Sequence, residues 1–383
     1  MRCLRCGNRE QKYFYKDNET WYCRKCIGFG RVNVYDVPKK ISYTKKKHNC
    51  NYELKYPLTS PQKKAVEQIM YYINQRKDVL IFAATGAGKT ELTMEAIKQY
   101  LNAGKKVCFS ISRRQVVLEI QERMQKAFPS LKVIAVCEGF SDIVDGDLIV
   151  CTMHQLYRYY KTFDLLIMDE VDAFPYRDNE LLEQVALASC IGEKIYLSAT
   201  PSEDMLRDVE EGKIQLVELF ERPHGYPLIV PVVKRTLKNL QYVFLIRFLF
   251  RQRKKKIQTL VFVPTITLAQ QLARYLKVIF KCKAFTSKTQ DKEKIIDEFH
   301  QQKYEFLIST TILERGITIK GIYIIILQAD HIVFNEASLV QIIGRVGRNI
   351  EMPTGEGYFL CTRKTKDITA CIKTLENMNR GVI

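Results

Sequence analysis

Residues 79–90, VLIFAATGAGKT, constrain the fold of this chain more than any other segment. Four apolar, β-prone residues (Val79 to Phe82) run into a loop with glycine at 86 and 88, and a helix-forming stretch, ELTMEAIKQYL, follows at once. A strand, a tight glycine loop and a helix in immediate succession point to an α/β fold. The loop also carries chemistry. Gly86 and Gly88 let backbone N–H groups close around phosphate oxygens, Lys89 reaches the β and γ phosphates, and the Thr90 hydroxyl holds Mg²⁺. Ala83, Ala84, Thr85, Gly86, Ala87, Gly88, Lys89 and Thr90 are the expected ATP cradle, with alanine at 83 where the usual G-x-x-x-x-G-K-[ST] pattern has glycine. Gln62, ahead of the strand, is a candidate adenine reader through its amide.

A second apolar strand, FDLLIMDEVD, delivers acids to its carboxyl end. Asp169 is placed to hold the Mg²⁺ shell, and Glu170 to act as the general base that orients an attacking water. Asp172 follows in the same turn. Ser198, Ala199 and Thr200 (LSATP) end the next strand, and their small size lets that strand end approach Asp172 and sense the nucleotide. Beyond a Pro/Gly-rich connection, Pro223 to Pro231, the helix–strand alternation resumes without a second phosphate loop. It contains EASLVQIIGRVGR, read as a helix on which Arg345 and Arg348, three apart, share a face and aim their guanidinium groups at the γ-phosphate.

Of twelve cysteines, eight are scattered singly. Cys3, Cys6, Cys23 and Cys26 instead form two C-x₂-C pairs, the spacing of a structural Zn²⁺ site with four thiolates. Between them YFYKDNETWYC predicts a hairpin with DNET at its tip. A segment this short cannot bury enough core to fold alone, so metal supplies much of its stability. Its arginines and lysines alternate with Tyr13, Phe14, Tyr15, Trp21 and Tyr22, which suits a nucleic-acid strand, packing of the hairpin, or a partner protein.

The formal charge is +18 over 383 residues, and residues 1–57 hold 14 Lys/Arg against 5 Asp/Glu. Such a balance points to a polyanion, nucleic acid before an acidic lipid surface. No run reaches the ~18 apolar residues of a membrane helix, and the first residues lack the apolar core of a signal peptide. The expected location is the cytoplasm, including its membrane face. The expected organisation is a zinc ribbon (1–30), a basic linker (31–57) and two motor halves (58–228 and 229–383).

Taken together, these residues resemble superfamily 2 helicases of the DEAD/DEAH type. AATGAGKT is similar to motif I, the region of Ser112 to Arg114 to Ia, CTMHQL to Ib, DEVD to II, SAT to III, TTILERGITI to V and QIIGRVGR to VI. The resemblance covers about residues 58–365. It implies two tandem RecA-like domains, adds Gly316 and Gln341 to the ATP set, and assigns DNA contacts to Arg113, Thr152, His154 and Thr310. With the four-cysteine ribbon the chain resembles the ComFA family, late competence ATPases of Gram-positive bacteria. That family implies single-stranded DNA uptake in transformation, with a membrane DNA channel and a ComFC-like protein as partners. Motif Ia departs from the family pattern, and no large accessory domain is present to wedge a duplex apart, which favours translocation on one strand. The alternatives are a PriA-like replication-restart or repair helicase and a zinc-dependent, ATP-gated DNA clamp.

Overall fold

The computed structural model describes residues 1–38, 41–173, 175–177, 179–313, 321–348 and 351–381. They divide into two compact units, Met1–Ala83 with Gly88–Leu219, and Ala84–Ala87 with Phe220–Ile383. At the amino end, β1 (Phe14–Asp17) and β2 (Thr20–Cys23) pair antiparallel with Asp17 opposite Thr20. Asn18 takes the left-handed conformation the turn requires, which asparagine tolerates better than most residues. This is the expected hairpin, with DNET at its tip.

In the first unit β3 (Asp78–Ala83), β4 (Val107–Ile111), β5 (Val133–Val136), β6 (Leu148–Thr152), β7 (Phe163–Asp169), β8 (Cys190–Ser198) and β9 (Ile214–Leu219) form a parallel sheet in the order β5-β6-β4-β7-β8-β3-β9. Covered on both faces, the central strands read as unbroken apolar runs; Val79, Leu80, Ile81, Leu165, Leu166, Ile167 and Met168 are all fully buried. Helix α1 (Ser60–Asn74) begins with Pro61 in its first turn and a capping box between Thr59 and Gln62, a device worth about 1 kcal/mol. The helix after the phosphate loop is interrupted: α2 (Lys89–Leu92) stops at Thr93, whose Oγ1 donates to the Thr90 carbonyl at 2.8 Å, and α3 (Met94–Asn102) resumes.

The second unit has its own parallel sheet: β10 (Val232–Arg235), β11 (Thr259–Phe262), β12 (Cys282–Phe285), β13 (Phe306–Ser309), β14 (Tyr323–Leu327) and β15 (Gly357–Cys361), ordered β10-β15-β14-β11-β13-β12. The tandem α/β architecture implied by the resemblance is the observed one. Among the described residues no helix is long and apolar enough to cross a membrane.

Candidate nucleotide site and metal centre

Parallel register gathers the first unit's candidates. Phe82 lies opposite Ser198, Ile111 opposite Thr152, and Asp169 opposite Leu197. Ala83, Thr152, Asp169 and Ser198 are therefore last residues of strands that end along one edge, the carboxyl edge at which open α/β sheets bind ligands. Gly86 and Gly88 have φ of 83° and 87°, which side chains rarely adopt. A Cβ on Gly88 would also lie 2.5 Å from Gln62 Nε2. Gln62 is buried, and its Oε1 accepts from the Thr59 N–H at 2.9 Å. The expected adenine reader is thus partly occupied in capping α1, with its amide nitrogen against the loop.

Lys89 Nζ donates to the Ala83 carbonyl at 3.1 Å, and Thr90 is buried. The Asp169 carboxyl is pushed up to about 7, first by burial and then by the Glu170 charge, while the Lys89 ammonium pulls it down. Cation and acid, far apart in sequence, therefore act on each other in one site. Hydroxyl and carboxylate oxygens from Thr90 and Asp169 suit a hard divalent cation such as Mg²⁺, and a bound cation favours the ionised acid. Glu170 holds φ of 55°, a conformation that costs a non-glycine residue about 1–2 kcal/mol and clusters at functional sites. Ser112 Oγ lies 3.5 Å from Glu170 Oε2. Asp172 is buried and accepts two hydroxyl protons at 2.8 Å, from Ser198 on Oδ1 and from Thr200 on Oδ2. Ala199, fully buried, sits between those two donors.

Thr152 ends β6, and His154 lies in the 3₁₀ helix Met153–Arg158, its imidazole held below the usual histidine range by burial. Arg113 stands at the residue before the helix Arg114–Ala127, and Thr310 follows β13. Gly316 falls outside the described residues.

One expectation is corrected. The helix Glu336–Ile343, which carries buried Gln341, ends at Ile343 with Gly344 as its cap. Arg345 and Arg348 lie beyond it in a turn, not on a helical face, because Gly347 takes φ of 68° and reverses the chain.

The same turn reveals a residue that sequence reasoning missed. Arg222, 1% exposed, donates from Nη2 to the Gly344 carbonyl (2.8 Å) and from Nη1 to those of Val346 (2.9 Å) and Gly347 (3.0 Å). Arg348 Nε donates to the Gly344 carbonyl as well, at 3.2 Å. Burial, then the Arg348 charge, lowers Arg222 to about 9. His224 assists: its Nδ1 accepts from the Tyr226 N–H, so its Nε2 carries the proton donated to the Gly347 carbonyl at 2.9 Å. No sequence motif marks Arg222; its partners are carbonyls more than a hundred residues away. Arg222→Ala removes four buried hydrogen bonds, to the carbonyls of Thr85, Gly344, Val346 and Gly347, of which Gly344 and Gly347 keep second donors in Arg348 and His224, and is expected to cost about 3 kcal/mol. A thermal midpoint within 1–2 °C of the parent, against the roughly 6–12 °C fall that such a cost implies, would show the fork to be dispensable.

At the amino end Cys3 and Cys26 Sγ are 3.8 Å apart, Cys6 and Cys23 Sγ 3.7 Å, and all four lie within 4.8 Å of one another. Tetrahedral Zn–S bonds of about 2.3 Å place sulfurs about 3.8 Å apart, so the cluster fits zinc. Arg5, buried, braces it: Nη2 donates to the carbonyls of Cys26 and Gly30 (both 2.6 Å), Nη1 to that of Phe29 (3.0 Å), and Nε to Cys26 Sγ (3.3 Å). A cation against thiolates offsets their charge and fixes the ligand loop.

Comparison with known proteins bears on this geometry. Residues 55–203 match the family model described as "Type III restriction enzyme, res subunit", and residues 240–350 the "Helicase conserved C-terminal domain". The chain is 35% identical over 397 residues to Competence protein ComFA of Streptococcus pneumoniae, covering 99% of this chain and 90% of that protein. It is 32% identical over 399 residues to Competence protein ComFA of Bacillus subtilis, covering 99% and 85%. Among solved structures it is similar to the Mycobacterium smegmatis helicase Lhr bound to ssDNA and AMP-PNP, with a TM-score of 0.62 at 16% identity, over 84% of this chain and 50% of that one. It is also similar to RecG bound to a three-way DNA junction, with a TM-score of 0.61 at 21% identity, over 85% and 47%. It thus spans about half the length of those two helicase chains, whose likeness concerns the fold.

Proposed function

The chain belongs to the ComFA family of competence proteins, built on a helicase-like ATPase, and on that footing we propose that it is a single-stranded DNA translocase that drives DNA uptake in transformation. The observation that carries this reading is the convergence of Lys89, Asp169 and Glu170 on one sheet edge, beside an Asp172 held by Ser198 and Thr200. Lys89 and the loop amides bind the phosphates, and Thr90 and Asp169 would hold Mg²⁺, which when bound would supply charge neutralisation to the transferring phosphoryl group. Glu170 takes a proton from the attacking water. Arg345 and Arg348 are assigned to the γ-phosphate, with Arg222 fixing the turn that carries them. The Asp172 clasp passes the loss of that phosphate to β8.

Arg113, Thr152, His154 and Thr310 are assigned to the DNA backbone. Their grip is therefore insensitive to sequence and sensitive to salt. A location in the cytoplasm at the inner membrane face, with a DNA channel and a ComFC-like protein as partners, follows from family membership and belongs to the same reading.

Steady-state ATP turnover against single-stranded DNA, duplex DNA and RNA tests it. Single-stranded DNA is expected to raise turnover at least ~10-fold, a barrier change of about 1.4 kcal/mol, and duplex far less. Equal turnover with and without DNA overturns the reading. Release of the labelled strand from a forked duplex would instead support the unwinding alternative.

A further inference from the structure

The ribbon is docked, not tethered, on the first motor unit. The Phe29 ring stacks on Tyr157, centroids 5.0 Å apart and 15° from parallel, and meets His154 edge-on at 6.4 Å. Lys25 Nζ pairs with Glu180 at 2.7 Å. Both aromatic partners of Phe29 belong to the 3₁₀ helix Met153–Arg158, which continues directly from Thr152. The ribbon is thereby fixed beside the segment to which strand contacts are assigned.

Ribbon, linker and this helix enclose a cavity of about 770 Å³, within the range of ligand sites. One wall is the Phe29–Tyr157 stack, extended by Ile41. Three guanidinium groups, Arg5, Arg31 and Arg158, belong to the lining with a single carboxylate, Asp36; Arg5 is committed to the cysteine loop, which leaves two. Among the described residues the Arg158 guanidinium donates through Nε, to Gln155 Oε1 at 2.6 Å, and it lies 5.2 Å from the Tyr157 ring centroid. Arg31 lies 4.6 Å from that of Tyr22, with Nη1 on Asp17 and Nη2 on Thr20 Oγ1. Asp36 Oδ2 accepts from the Asn33 amide at 2.8 Å. An apolar, aromatic wall with two cations and a few hydrogen-bonding groups matches a ligand with a flat heterocycle at one end and an anion at the other.

We propose that this cavity is a strand-holding subsite for one nucleotide of single-stranded DNA, the base extending the Phe29–Tyr157 stack and the flanking phosphates on Arg31 and Arg158. The identity of the ligand rests on the strand-translocation reading above; the site rests on its own geometry. The ribbon then contributes a DNA contact that the two motor sheets lack, and zinc acts by holding that wall in place.

The test is the affinity of the zinc-loaded full chain for a labelled oligo(dT) of about 20 nucleotides, read by fluorescence anisotropy across a salt series without ATP. Arg31→Ala with Arg158→Ala is expected to weaken binding about tenfold and to reduce the slope of log affinity against log salt by about one to two. Arg31 is exposed and Arg158 half-buried, and loss of the exposed Arg31–Asp17 pair costs little; zinc content and thermal midpoint verify the fold. Lys63→Ala with Lys64→Ala removes the same charge from exposed positions on α1 and is expected to change affinity less than threefold. The proposal is overturned if the arginine pair binds as the parent does, if the lysine pair weakens binding equally, or if oligo(U) binds more tightly than oligo(dT). Failure of DNA to stimulate turnover sinks the translocase reading alone, because this assay does not depend on hydrolysis.

Discussion

Glu170→Gln is expected to lower the turnover number for ATP about 10³-fold, with nucleotide affinity within about threefold of the parent, because it removes the proposed general base and leaves the phosphate loop intact. Lys89→Ala should lose both binding and turnover, since the cation that draws Asp169 down is the one proposed to hold the phosphates. A third variant uses the backbone. Glu170 holds its φ of 55° against the preference of every residue but glycine, so Glu170→Gly should abolish turnover yet raise stability by about 1 kcal/mol. Phosphate release and thermal melting on the three proteins settle the assignment. A Glu170→Gln enzyme that retains more than a tenth of parental turnover would move the base elsewhere.

Zinc removal has the second large effect. Cys23→Ser leaves three thiolates, and bound zinc should fall from one per chain to below about a tenth, since structural Zn²⁺ contributes some 10–16 kcal/mol that a hairpin of this size cannot replace. With the metal gone, Arg5 faces backbone carbonyls and a thiol where thiolates had offset its charge, and the Phe29 wall loses its support. Limited proteolysis should then cut within residues 31–57 at least tenfold faster than in the zinc-loaded protein, a ratio corresponding to about 1.4 kcal/mol of easier opening. The two motor units should keep their melting transition. Unchanged cleavage of the metal-free chain would mean that the hairpin packs without zinc.

Both variants address features that were legible in the sequence, and for a shared reason. The phosphate loop, the DEVD turn and the cysteine pairs each place their chemistry within a few residues of a strand or turn whose pattern announces it. The pairing of Asp172 with Ser198 and Thr200 was also accessible, because parallel neighbours end in register. Two features were not. The segment from Glu336 to Arg348 keeps an apolar, helix-like pattern past Ile343, and only the backbone shows that Gly344 and Gly347 turn the chain. Arg222 sits in a stretch whose prolines and glycine mark a connection, and its value lies in carbonyls that no residue type reveals. Side-chain identity reports local chemistry well; long-range bonds to main-chain oxygens leave no trace in composition.

The clasp on Asp172 has a kinetic corollary. Two of its partners are alcohols, whose neutral hydrogen bonds exchange for water within a small energy range. An ion pair in their place would be harder to open. On the proposed reading, these two hydroxyl bonds suit the corner to rapid release and re-formation.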